Sequence, residues 1–179
     1  MAERACSQSR EKDHQADQVE CLQWILLKHR IEQALDSAGD RRLDISVCLP
    51  EAGVLVERCR YHYALLISRR GCGAQRGYQG RVEDSSRASF AAATVRTIAH
   101  VLRSTASFLG EEHKGAIMNH FASMTLDSSC PVVVAQDLLA ALVALADGDP
   151  ARVLRVYASR LCFYCDSQSD PSLRDQVAE

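Results

Sequence analysis

The sequence predicts a mainly α-helical protein: a compact bundle of about five helices around a central apolar one, with a small two-stranded β-hairpin near 43–68. Three observations carry this expectation. Apolar residues recur at intervals of three and four over long stretches, glycine and proline sit between those stretches, and one segment, 132–146, is apolar on nearly every side. With 179 residues, 47% of them hydrophobic, the chain can fill one ordinary core and is too short to need two.

The first helix is expected to begin at Asp17, whose carboxylate can cap free amides, with Glu20 three residues on. Trp24, Leu27, Ile31, Leu35 and Ala38 then follow one face, and Gly39 is placed to stop it. Beyond it the period changes. Leu43, Ile45 and Val47 alternate with polar residues, as do Cys59, Tyr61, Tyr63, Leu65 and Ile67, which favours two short strands. The second run also fits a helix through Leu55, Cys59, His62 and Leu66, so periodicity alone leaves both open. Four glycines, at 71, 73, 77 and 80, then make a surface loop the expected form of 69–80.

Four helices are expected in the second half. Ala91, Val95, Ile98, Leu102, Thr105 and Leu109 stripe the first of them, and Ile117, Phe121 and Met124 the next, from about Glu111. Pro131 opens the apolar segment 132–146, which is expected to be the central helix. Gly148 closes it, and Pro150 opens a last helix with Leu154, Tyr157, Leu161 and Tyr164 on one face. Residues 1–16 and 166–179 hold few apolar side chains, so they are expected as flexible tails around a single domain at 17–165.

Charge and cysteine content narrow the function classes. A net charge of −2 excludes a uniformly basic, histone-like surface but leaves room for a local basic patch. The polar segment 1–19 has no secretory pattern, and no segment is apolar enough to span a bilayer, so a cytoplasmic protein with access to the nucleus is expected. In that compartment the eight cysteines are expected as free thiols, most of them buried.

No constellation for catalysis is recognisable. The glycines at 71–80 lack the spacing and the lysine of a phosphate-binding loop, and no nucleophile elbow occurs. Cys59-x-x-His62 and Cys162-x-x-Cys165 have the spacing of paired zinc ligands, but about a hundred residues separate them, and Cys162 to Cys165 continues an amphipathic helix that places them in the core. A non-enzymatic protein without cofactor or resident metal is therefore expected.

Two segments point to binding. From 58 to 82 there are six arginines and no acid, and Arg58, Arg60, Arg69, Arg70, Arg76 and Arg81, together with Tyr78, could meet the phosphates and bases of RNA. The other is the end of the first helix. Leu35-Asp36-Ser37-Ala38-Gly39-Asp40 is similar to the L-x-x-x-G-D core of the helix with which apoptosis regulators dock into a partner's groove. The resemblance implies Ile31, Leu35 and Ala38 as apolar anchors and Asp40 as the mate of a basic residue. It departs at the fourth anchor, where Arg42 stands and Leu43 comes one residue late. The functional expectation is a regulatory or adaptor protein that binds a protein partner through helical surfaces, or itself as a homo-oligomer, with an RNA-binding regulator using 58–81 as the alternative.

Overall fold

The structure, a computed structural model, describes residues 2–36, 50–68 and 78–168. Within them are six α-helices: α1 (Ala2–Asp36), α2 (Ala52–Ile67), α3 (Tyr78–Thr105), α4 (Glu111–Leu126), α5 (Val132–Leu145) and α6 (Pro150–Gln168). A single 3₁₀ turn, Ala106–Phe108, follows α3. Among the described residues there is no strand.

Helix α1 starts fifteen residues before Asp17 and takes in almost all of the expected tail 1–16. The physical reason is composition: Ala, Glu, Arg, Gln and Lys dominate 2–16, all of them strong helix formers, and no glycine or proline interrupts 2–36. Asp17 consequently caps nothing. It is buried in mid-helix and accepts a hydrogen bond from Nε of Arg87 on α3.

The expected strand within 54–68 is helix α2. Its buried residues are Leu55, Cys59, His62, Tyr63 and Leu66, spaced by three and four, while Tyr61 from the alternating set is 44% exposed. The expected first strand, 43–47, lies outside the described residues, as do the 69–77 part of the loop and 169–179.

The middle of the bundle belongs to α3, correcting the expectation that 132–146 would hold it. Helix α3 packs against α1, α2 and α5, and its middle buries Ala91, Thr94, Val95, Ile98, Ala99, Val101 and Leu102. Small and β-branched side chains let three neighbours approach it, whereas charged residues at its ends lower its average hydropathy and hide its position from a composition reading. Helix α5 buries Val134, Leu138, Ala141, Leu142 and Leu145 against α3 and α4, and leaves Val132, Val133, Leu139 and Val143 exposed.

Helix α6 ends at Gln168, three residues past the expected boundary, and its inward face is Val153, Val156 and Tyr157. Leu154 and Leu161, expected inside, are exposed. Side chains from all six helices meet in one hydrophobic cluster, which reaches from Trp24 to Val153. No described helix is long and apolar enough to cross a membrane.

Candidate partner-binding groove

A concavity of about 720 Å³ runs between the outer side of α1 and the first turns of α2. Its walls come from α1 through Val19, Trp24 and Leu27, and from α2 through Val54, with Pro50 at one end. Helical geometry explains why α1 can serve core and groove together. Successive residues turn by about 100°, so Cys21, Trp24 and Ile31 face α3 while Val19 and Gln23 emerge on the flank. Val19 and Val54 are exposed, as are Leu22 and Leu26 further round α1.

The polar frame of the groove centres on Glu20. Its Oε1 accepts Nε1–H of Trp24 at 3.3 Å and lies 3.6 Å from Nε of Arg58, and its Oε2 lies 3.3 Å from Nε2 of the buried His62. One carboxylate thus orients the indole in the floor and faces the guanidinium at the lip, while the buried imidazole lies close by with no hydrogen bond to either ring nitrogen. Lys12 of α1 also lines the groove and is exposed. The groove therefore offers an apolar floor, one carboxylate already engaged, and two cationic groups that line it.

The other sequence-predicted residues fall apart rather than together. Arg58 and Arg60 would share a face in a strand, but in helix α2 they stand about 200° apart. Arg58 edges the groove; Arg60 lines a second cleft, of about 690 Å³, with Tyr61, His120 of α4 and Arg160 of α6. Tyr78 and Arg81 belong to the first turns of α3. Arg69, Arg70 and Arg76 lie outside the described residues, as do Ala38 and Asp40. Of the remaining anchors, Ile31 is 2% exposed and serves this chain's own interior, while Leu35 stays 38% exposed.

Among the described residues no group of three or more His, Cys, Asp or Glu side chains is placed to hold a metal ion. Cys59 and His62 are buried on α2, and Cys162 is exposed on α6. Sequence reading missed the groove because its walls come from two helices, one of which had been read as a strand. The signal that could have pointed to it is Val19, an apolar residue one turn from Gln23 and two from Leu27, which a stripe through Trp24 and Ile31 leaves unexplained. Compared with known proteins, the chain matches no family model, no curated protein and no solved structure.

Proposed function

We propose that this chain is a non-enzymatic regulatory or adaptor protein of the cytoplasm or nucleus that holds an amphipathic helix of a protein partner in the groove between α1 and α2. The observation that carries this reading is the pairing of an apolar floor with two cationic groups. Val19, Trp24, Leu27 and Val54 suit the apolar stripe of a helix, and Lys12 and Arg58 suit an acidic residue on its flank. Glu20 does not oppose such a residue freely, since Trp24, Arg58 and His62 already surround it. Arg58 and Arg60 stand on different faces of α2, which gives an RNA reading of 58–81 less support at this pair than the groove gives the protein-partner reading.

Trp24 is the chain's single tryptophan, so its emission reports on the groove. The test titrates synthetic amphipathic helical peptides, acidic on one flank, against the full chain and against Val19→Glu and Val54→Glu, two exposed positions where a charge does not disturb the core. A saturable shift of Trp24 emission that either variant abolishes, and that a lysine-flanked peptide does not produce, is the expected result. Peptide binding that ignores both variants would sink the reading.

A further inference from the structure

The second cleft, enclosed by α2, α4 and α6, has a different chemistry from the groove. Arg60 of α2 and Arg160 of α6 line it from two sides, and His120 of α4 lies between them in its wall. Among the described residues neither guanidinium makes an ion pair, in contrast to Arg58, Arg87, Arg96, Arg152 and Arg155. Burial first, and then the charges of Arg60 and Arg160, hold His120 below the ordinary histidine range, so both cations act on one point of the cleft.

We infer that this cleft is a binding site for a single phosphate group, gripped by Arg60 and Arg160 with His120 as a third donor when protonated. Guanidinium groups present planar forks of donors that match phosphate oxygens, and two of them from separate helices fix the anion's position. The other titratable groups facing His120 across the cleft are Glu57, Tyr61 and Tyr63 of α2 and Asp127 at the end of α4. Tyr63 spends its hydroxyl on the carbonyl of Met124 at 2.9 Å, and Asp127 Oδ1 accepts the amide of Ser129 at 2.8 Å. Glu57 and Asp127 also decide the class of ligand. Two carboxylates in one cleft repel a run of phosphates, as in a nucleic acid strand, but leave room for one phosphate between the arginines. The phosphate is that of a phosphomonoester, carried by a free nucleotide or by a phosphorylated side chain of a partner.

The test follows the His120 ring proton by NMR through a pH titration of the full chain, without and with inorganic phosphate, then with uridine monophosphate and with a phosphoserine peptide. Phosphate is expected to raise the His120 midpoint. The double variant Arg60→Gln, Arg160→Gln is expected to raise it without phosphate, to remove the response to phosphate, and to weaken binding by tenfold or more, about the worth of one charge-assisted bond. Whichever of the two esters binds more tightly than inorganic phosphate identifies the source. A His120 midpoint indifferent to millimolar phosphate overturns the proposal, as does a phosphate response that survives in the double variant. Binding to single-stranded RNA that strengthens with length and depends on Arg60 and Arg160 overturns it in favour of a polyanion strip.

Discussion

Lys114 Nζ lies 2.8 Å and 2.9 Å from the two carboxylate oxygens of Asp147, which occupies a left-handed backbone position, φ 55°, at the end of α5. The amide of Asp147 donates to Ala144 and that of Gly148 to Val143, the two bonds that close a helix in a Schellman turn. Glycine is the usual residue at the Asp147 position, so a side chain there needs a reason, and the ion pair supplies it. Lys114 is 5% exposed and also reaches Glu111 at 3.0 Å; Arg152 bridges the same two acids from α6. The loss of each partner is then unequal. Asp147→Asn tolerates the backbone but strips a buried ammonium of its main counterion, and should lower stability by about 1–3 kcal/mol. Lys114→Met returns two largely exposed carboxylates to water and should cost under about 1 kcal/mol. Urea denaturation of both variants tests the order, and a larger loss for Lys114→Met would refute the account.

Tyr61 and Tyr63 provide a sharp test of α2, because a strand would place them alike and the helix does not. Tyr63 is 6% exposed and donates its hydroxyl to the carbonyl of Met124, while Tyr61 has its ring edge-on to His62 and is 44% exposed. Tyr63→Phe removes the shorter of the two hydrogen bonds to that carbonyl, the other coming from the amide of Asp127 at 3.3 Å, and should cost about 1 kcal/mol. Tyr61→Phe should change stability by less than about 0.5 kcal/mol. Equal effects in thermal or urea unfolding would count against the helical register.

How much of this was legible in the sequence depended on whether one helix face carried the signal. The stripes through Trp24 and Ile31, Val95 to Leu102, and Ile117 to Met124 are regular at helical spacing, and those segments are helices with those residues inside. In α2 both periods fit the same residues. Cys59 and Tyr63 belong to the alternating set and to the helical one, and only contact with α3 and α4 selects between them. In α6 the larger leucines suggested one face, but Val153, Val156 and Tyr157 fit against the core and the leucines face out. The groove and the cleft were hidden for another reason. Val19 with Val54, and Arg60 with His120 and Arg160, are brought together by packing between elements far apart in sequence, which no local pattern encodes.

Asp17 shows the same limit and offers a direct measurement. As a helix cap it would act alone; as the buried mate of Arg87 it couples α1 to α3. Asp17→Asn should cost about 2 kcal/mol, since it leaves a largely buried guanidinium without its carboxylate. In a double-mutant cycle with Arg87→Gln the coupling should exceed about 1 kcal/mol. Independent, additive effects would assign Asp17 a purely local role.

The thiol of Cys59 makes stability depend on pH in the alkaline range. Burial in the hydrophobic cluster pushes its pKa from 9.0 up to about 12, because the folded chain does not solvate a thiolate. The raised value fixes the sign. Below about 9 the thiol is neutral in both states and its contribution is fully present; above it the unfolded chain releases the proton first, and stability falls until the folded value is reached. By pH 10 the accumulated loss should reach about 1.4 kcal/mol for this one group. Burial also raises Tyr63, and its hydrogen bonds and ion pairs raise Lys114, so their losses begin only above their ordinary values of 10.0 and 10.5. Urea unfolding of the native chain and of Cys59→Ala between pH 8 and 10 separates the thiol from them. The variant should be less stable at pH 8 through lost packing, yet show a flatter decline with pH, and parallel slopes would exclude Cys59 as the source.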